Sequence, residues 1–411
     1  MTAKEKSYLR ELAKKQREYA NLPIMAERER LWYLHNALKG ERPLVVMEEG
    51  TFIDEITPPL QCEDDAARHI EWTLQRTICT HEYVDDDKVI PATFDLDTGV
   101  WKNFLGINPE KTYSEDGLGY HIEPILETLE EDMHKLSSAD FLHNNDGVRE
   151  YGARIEEIIG DILPVKYTNN FAHWNYCLTC KIVELMGMEN MFCAMLTEPE
   201  LFHKLMDMAT SEMIRFMRWQ EENNFLFVNN GNDYMGAGSY CFTDELPQPG
   251  FTGQVRSIDT WGNLNSQESV GLSPEMFAEM LYPYYAKLAE QFGLVYYGCC
   301  EPVHDYWGSL KNLPNLRKIS ISNWCDEEFM AEQLQGGRVI YSRKPSPNYL
   351  GIHKEFDEDA FTAHIKKTAD LVKGFKAEII FRDIYKLNGN VGKIKRAVEI
   401  ARNVVENVYG V

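Results

Sequence analysis

Short apolar runs alternate with amphipathic segments along the chain from about residue 150 onwards. The apolar runs predict β-strands at 162–167, 225–228, 294–297, 318–322, 338–342 and 378–381. The segments between them predict helices, among them 178–188, 326–335, 358–373 and 391–408. Near-continuous apolar strands joined to helices by short connections are typical of a parallel sheet covered by helices. Because so many units follow one another, and no Gly-rich phosphate loop follows the first strand, the pattern favours an α/β fold, a closed (β/α)8 TIM barrel.

The first 150 residues are less regular. Apolar residues at near-helical spacing predict two helices between residue 4 and about residue 39, and residues 43–47 predict a short strand. Residues 60–150 show no clear period. We therefore predict an N-terminal helical extension and lead-in over residues 1–85, followed by the barrel over residues 86–411.

Charge and cysteine content narrow the class of protein. The 411 residues include 65 acidic and 42 basic side chains, a net charge of -23, which disfavours nucleic acid as a partner. No apolar run reaches the roughly 18 residues that a membrane span requires, and the charged N-terminus lacks the apolar stretch of a signal peptide. The nine cysteines show no framework spacing, which is typical of reduced thiols. These features predict a cytoplasmic enzyme.

Polar side chains follow most of the predicted strands. The carboxyl ends of barrel strands carry the catalytic groups in this type of fold. The residues at these positions are Asn229 to Asp233, Gln267 and Glu268, Cys299 to Glu301, Cys325, Arg343 and Lys344, and Arg382 and Asp383.

Two thiols among these residues predict a zinc site. Cys300 and Cys325 follow neighbouring strands, and zinc takes thiolate and carboxylate ligands. A zinc ion there would polarise a leaving oxygen as a Lewis acid. Strand alternation allows only one of Cys299 and Cys300 to point into the barrel mouth, and we choose Cys300. The alternative is that these cysteines are small buried hydrophobic residues.

Asp233 and Arg343 are the candidate catalytic residues. Asp233 is placed to act as a general acid or a hydrogen-bond acceptor, and the alternative is a turn residue. Arg343 and Lys344 are placed to pair with a substrate carboxylate. The alternative for both is an internal ion pair with Asp383 or Glu268.

Residues 150–411 resemble the uroporphyrinogen decarboxylase superfamily, and within it the branch of corrinoid-dependent methyltransferases. The motifs that carry the resemblance are Thr197-Glu-Pro-Glu-Leu-Phe-His-Lys-Leu205, Asn230-Gly-Asn-Asp233, Ser239-Tyr-Cys-Phe-Thr-Asp-Glu-Leu-Pro247, Leu272-Ser-Pro-Glu-Met-Phe277, Tyr297-Gly-Cys-Cys-Glu-Pro302 and Ser342-Arg-Lys-Pro-Ser-Pro347. The decarboxylases of the superfamily carry an Arg-rich N-terminal motif that binds porphyrin carboxylates, and no match to it occurs here.

The resemblance also implies a zinc ligand set. In the related methyltransferases, His-x-Cys at one strand end and a Cys at the final strand hold zinc. Here Cys300 matches the first Cys and Gly298 replaces the His, while Arg382 and Asp383 follow the final strand. The nearest replacements for the missing ligands are Cys325, Glu268 and Glu301.

The predicted function is therefore methyl transfer within an anaerobic O-demethylation system. A small O- or N-methylated compound, such as an aryl methyl ether, would donate a methyl group to the cobalt of a separate corrinoid protein, and zinc would activate the leaving heteroatom. The Asp-x-His-x-x-Gly loop of corrinoid carriers is absent from this chain, so cobalamin would be supplied in trans. The alternatives are decarboxylation of a carboxylated substrate and a binding protein without catalysis. Superfamily relatives often pair as homodimers.

Overall fold

The architecture comes from a computed structural model, which describes residues 1–115, 119–170 and 176–411. The strands are β1 (Leu44–Met47), β2 (Phe94–Asp97), β3 (Val100–Lys102), β4 (Thr112–Tyr113), β5 (Tyr120–His121), β6 (Phe141–His143), β7 (Val165–Thr168), β8 (Tyr234–Gly236), β9 (Ser239–Tyr240), β10 (Trp261–Leu264), β11 (Leu294–Tyr297), β12 (Leu316–Ile321), β13 (Ile340–Arg343) and β14 (Ala377–Phe381). The strands predicted at 43–47, 162–167, 294–297, 318–322, 338–342 and 378–381 are confirmed within a few residues.

One or two helices separate each strand from the next between β10 and β14. The helices are α1 (Ala3–Ala20), α2 (Pro23–Asn36), α3 (Ile53–Ile56), α4 (Asp65–Cys79), α5 (Leu129–Asp132), α6 (Asn145–Ile159), α7 (Leu178–Thr197), α8 (Pro199–Glu222), α9 (Pro274–Met280), α10 (Tyr282–Ala289), α11 (Trp307–Leu310), α12 (Glu327–Leu334), α13 (Asn348–Gly351), α14 (Glu358–Leu371) and α15 (Gly392–Tyr409). In the described part of the chain, no helix combines the length and the apolar character that crossing a membrane requires.

A six-stranded parallel sheet forms the centre of the molecule. Its strand order is β1-β14-β13-β12-β11-β10, so the first strand of the chain pairs with the last. Helices cover its outer face, where Val45 and Ile379 pack against Phe361 and Val398. The opposite faces of β1 and β14 pack against Trp32. Burial on both faces explains why these strands are apolar along their whole length.

Residues 225–228 do not form the predicted strand. The segment lies between β7 and β10, but side-chain amides replace the backbone ladder on both sides. Asn169 donates to the Phe225 carbonyl at 3.1 Å and accepts from the Phe227 N–H at 2.6 Å. Asn229 accepts from the Trp261 N–H at 2.8 Å and donates to its carbonyl at 3.2 Å. The apolar pattern placed the segment correctly, but its backbone hydrogen bonds are made with side chains.

On the other edge of β1, the backbone N–H groups also donate to side chains. The Asp87 carboxylate accepts from the Val45 N–H and the Asp86 carboxylate accepts from the Met47 N–H, both at 2.8 Å.

Next along the chain, β2 pairs in parallel with β7. The fold is thus mixed α/β and TIM-barrel-like. Within the described ranges, no strand ladder joins the β2–β7 pair to the six-stranded sheet, so the closed (β/α)8 ring stays a prediction.

Candidate functional site

A buried charged network lies on the inner face of the central sheet. Glu378 on β14 is fully buried and accepts hydrogen bonds from Lys318 at 3.0 Å, Ser239 at 3.0 Å and Ser342 at 2.6 Å. His35 on α2 contacts the same carboxylate at 3.1 Å. Burial opposes ionisation of Glu378, but Lys318 and His35 outweigh it and hold the pKa of the carboxyl well below its usual value. A buried carboxylate with four partners is fully satisfied.

Lys344 extends this network towards the carboxyl ends of the strands. Its ammonium donates to the Ser342 hydroxyl at 2.6 Å and to the Tyr296 hydroxyl, and Ser342 in turn donates to Glu378. Burial lowers the pKa of Lys344 to about 7; Glu378 opposes the shift and Arg382 adds to it. Lys344 can therefore gain or lose a proton near neutral pH, which is what a general acid or base requires.

Charged groups and thiols meet at the carboxyl ends of the central strands. We call this group the strand-end cluster, and it consists of Glu48 after β1, Cys299 and Cys300 after β11, Lys344 after β13, and Arg382 and Asp383 after β14. The carboxyl ends of parallel strands meet at one edge of a sheet, which explains why residues so distant in sequence converge.

Arg382 is the central cation of the strand-end cluster. It donates to the Cys299 sulfur at 3.2 Å, and its Nε lies 3.2 Å from Glu48 and 3.5 Å from Asp383. Glu48 also accepts a hydrogen bond from Tyr234. Burial acts to lower the pKa of Arg382, but the combined opposing effect of Glu48, Cys299 and Asp383 is larger. The pKa is therefore raised and the guanidinium stays charged.

The two thiols touch each other. The Cys299 and Cys300 sulfurs are 3.6 Å apart, and Cys300 lies 3.8 Å from Asp383. Both therefore face the end of β14, contrary to the expectation that only one points into the mouth. The alternation rule fails here because β11 ends at Tyr297 and Gly298 adopts φ +98°, which leaves the extended conformation.

Replacing Gly298 with alanine is expected to destabilise the protein by about 1–3 kcal/mol, because an L-residue at positive φ is strained. The new Cβ would also lie 2.9 Å from the Ser320 Cβ. Urea unfolding checks this. Gly308→Ala is the control, because its Cβ would meet nothing within 4 Å and its φ is not positive. Equal stability of the two variants would contradict the strain argument.

The predicted metal ligands do not converge. The Cys325 thiol lies 3.9 Å from the Glu301 backbone carbonyl and 3.6 Å from the Ser322 hydroxyl, whereas Cys300 contacts Cys299 and Asp383. Burial raises the pKa of Cys325. The two sulfurs thus have different partners, although their strands are neighbours.

The two predicted carboxylate ligands are also engaged elsewhere. Glu301 is buried, and its oxygens accept the N–H groups of Ser266 at 2.8 Å and Cys299 at 2.9 Å. Burial raises the pKa of Glu301. Glu268 accepts from the Thr179 hydroxyl at 2.7 Å, beside α7. Across residues 1–115, 119–170 and 176–411, no three His, Cys, Asp or Glu side chains are placed to hold a metal ion. These four residues therefore do not fit zinc as one ligand set.

The predicted catalytic residues lie in structural ion pairs. Asp233 is buried and its carboxylate lies 2.6 Å from the Lys166 ammonium on β7. Arg343 points away from the strand-end cluster, donates to the Ser322 carbonyl at 2.6 Å and pairs with Glu327 of α12. Its neighbour in sequence, Lys344, is on the inner side. For Arg343 this is the internal ion pair that the sequence left open, although the partner is Glu327 and neither Asp383 nor Glu268.

Sequence reasoning missed Glu48 and undervalued Cys299, Lys344 and Arg382. Glu48 directly follows β1, so the same strand-end rule applied to the first strand would have found it. Lys344 and Arg382 were among the polar residues after strands, but nothing in the sequence distinguished them from Arg343. Which neighbour faces inwards depends on how β13 packs between the sheet interior and α12.

Comparison with known proteins supports the fold. No protein-family model matches this chain, and no curated protein matches it. Among solved structures, a methyltransferase from Methanosarcina mazei is similar, with a TM-score of 0.53 and 12% sequence identity, over 90% of this chain and 97% of that chain. At this identity the likeness shows a shared fold alone. The chain spans nearly the whole length of that methyltransferase fold.

Proposed function

We propose that this chain is a methyltransferase that takes a methyl group from a small O- or N-methylated compound at the strand-end cluster. The observation that carries the proposal is Lys344, a buried amine with a pKa of about 7 at the carboxyl end of β13. The fold shared with a methyltransferase adds support, because sites of TIM-barrel-like folds lie at the same end of the strands.

Lys344 supplies the proton that such a reaction needs. As the bond from the methyl carbon to the heteroatom breaks, the heteroatom keeps the electron pair and takes the proton from the Lys344 ammonium. Without protonation an ether would have to release an alkoxide or a phenoxide, and a neutral amine would have to release an amide anion. A betaine nitrogen is already cationic and leaves as a neutral amine, so this role of Lys344 applies to ethers and neutral amines.

The methyl acceptor in this proposal is the reduced cobalt of a separate corrinoid protein, which supplies the nucleophile. Exposed apolar side chains in loops after four strands support docking of a protein partner there. They are Val270 after β10, Trp324 after β12, Ile352 after β13 and Tyr385 after β14, and Trp324 is 73% exposed. Exposed aromatic residues are typical of protein interfaces. The net charge of -23 favours a partner with a basic docking surface.

Zinc has no part in this proposal. The residues predicted to bind zinc have other partners, and the proposed proton donor performs the task that a Lewis acid would otherwise perform. Decarboxylation is less well supported, because it requires cations free to grip substrate carboxylates. Arg382 is paired with Glu48 and Asp383, and Arg343 is paired with Glu327.

An anaerobic assay with free cob(I)alamin tests the function without needing the partner. Methoxyarenes, methylamines and betaines are offered separately, and formation of methylcobalamin is followed by its absorption spectrum. We expect one donor class to give transfer that depends on the chain. If no class gives methylcobalamin above the rate without protein, while carbon dioxide is released from a carboxylated analogue, the decarboxylase alternative replaces this proposal.

A further inference from the structure

The backbone around Cys299 and Cys300 is held in place from several sides. The Cys299 N–H donates to Glu301 at 2.9 Å, and the Ser320 hydroxyl donates to the Cys299 carbonyl at 2.7 Å. Gly298 is anchored by its N–H to the Leu264 carbonyl at 2.7 Å. The contact of 3.6 Å between the two sulfurs is therefore part of an ordered turn with fixed neighbours.

The two thiols differ in protonation. The hydrogen bond from Cys300 lowers the pKa of Cys299, and Arg382 adds to this effect against the opposing effect of burial. The same hydrogen bond, together with burial, raises the pKa of Cys300. Cys299, whose sulfur lies 3.2 Å from the Arg382 guanidinium, is thus the more acidic thiol of the pair. A thiolate beside a cation, with a second thiol in contact, is the arrangement of a reactive cysteine with a resolving partner.

For most other cysteines of the chain, the pKa of the thiol is raised instead of lowered. Burial raises the pKa of Cys62, Cys79, Cys177, Cys180, Cys241 and Cys325. Cys193 is exposed. Cys299 and Cys300 are half-buried residues, which leaves their turn next to solvent and within reach of a small oxidant.

We propose that Cys299 and Cys300 are a modification site, an oxidisable dithiol that a peroxide converts into a disulfide between adjacent residues. The Cys299 thiolate attacks one peroxide oxygen, the O–O bond breaks, and the departing hydroxide takes up a proton to become water. The Cys300 sulfur then attacks the resulting sulfenic acid, and the second water leaves with the thiol proton. The two sulfurs together lose two electrons, and the peroxide gains them.

The disulfide would be readily reversible. Adjacent Cα atoms are about 3.8 Å apart, shorter than the usual minimum of about 4.4 Å for disulfide-linked residues. A bond closed under such strain has a more oxidising potential and is reduced by ordinary thiols. Its formation also removes the thiolate that faces Arg382. The site would therefore sense peroxide and recover when thiols return. This inference rests on the two thiols and their neighbours, and is independent of the proposed methyl transfer.

Mass spectrometry of the reduced full-length chain tests the inference. The chain is treated with one equivalent of hydrogen peroxide, its free thiols are alkylated with iodoacetamide, and it is digested with trypsin. The tryptic peptide of residues 288–311 contains no cysteine besides Cys299 and Cys300. We expect this peptide to lack both alkyl groups and two hydrogens, and to become doubly alkylated again after treatment with dithiothreitol.

Three variants sharpen the assignment. Cys300→Ser removes the resolving thiol, so Cys299 should accumulate as a sulfenic acid that dimedone traps. Arg382→Gln should slow oxidation about tenfold, because less Cys299 is then thiolate. Cys193→Ser, at an exposed cysteine outside the site, should react like the wild type. The inference is wrong if the 288–311 peptide stays doubly alkylated while Cys193 oxidises, or if Cys299 becomes a sulfinic acid while Cys300 remains alkylatable.

Discussion

Replacing Lys344 with methionine is expected to lower kcat for methyl transfer about 10²- to 10⁴-fold, the usual contribution of a positioned general acid. KM should change little, because the proton is transferred to the leaving heteroatom only as the methyl bond breaks. Stability should be unchanged or higher, because burying the charged amine costs free energy that a thioether does not. The measurements are the rate of methylcobalamin formation and the urea unfolding curve of the same preparation.

The pH dependence separates a proton donor from a structural lysine. Lys344 donates only when protonated, and its pKa is about 7, so the wild-type rate should fall about tenfold per pH unit above neutrality. The Lys344→Met variant should lack this limb. Lys386→Gln is the matched control, because Lys386 follows β14 but is exposed to solvent. A Lys344→Met variant within about twofold of the wild type at pH 7 would contradict the assignment of a general acid.

Replacing Glu378 with glutamine is expected to destabilise the protein by about 3–5 kcal/mol, the usual cost of leaving a buried charge without its partner. Glu378 is the common acceptor of Lys318, Ser239 and Ser342, and a neutral amide cannot balance the charge of Lys318. The measurement is the free energy of unfolding in urea at pH 7. The control is Glu358→Gln, which removes an exposed ion pair with Arg396 and should leave the free energy of unfolding almost unchanged.

The same variant tests the link between the network and Lys344. Glu378 raises the pKa of Lys344, so its loss should move the alkaline limb of the wild-type rate profile to lower pH. The pKa of Glu378 is depressed in the folded state, so its stabilisation is present above the pKa of the unfolded carboxyl and is lost as the pH falls through the folded value. Glu378→Gln should therefore show a flatter loss of stability on acidification. If the Glu378→Gln variant were as stable as the wild type at pH 7 and lost stability in the same way on acidification, the network would have no structural role.

Local patterns were enough to predict five of the six strands of the central sheet. Runs such as 294–297 and 378–381 are buried on both faces, so their apolar character is continuous and visible without any knowledge of their neighbours. The segment 225–228 carries the same pattern but makes its hydrogen bonds with Asn169 and Asn229. No local pattern distinguishes a backbone partner from a side-chain amide, because that choice depends on what lies across the gap.

The sequence predicted where the candidate site lies but not which residues form it. The rule that catalytic groups follow strands led to the turns after β11, β13 and β14, which the structure brings together, because the chain order of strands and helices fixes which ends meet. Arg343 and Lys344 are adjacent in sequence, but their side chains lie on opposite sides of the sheet. Arg343 pairs with Glu327 of α12, and Lys344 donates to the Ser342 hydroxyl on the inner side. Periodicity therefore predicted the mixed α/β class of fold and the strand ends at which the strand-end cluster lies. Which thiol, lysine and carboxylate meet there, and in which protonation state, followed from packing, because burial and neighbouring charges exist only once distant strands are side by side.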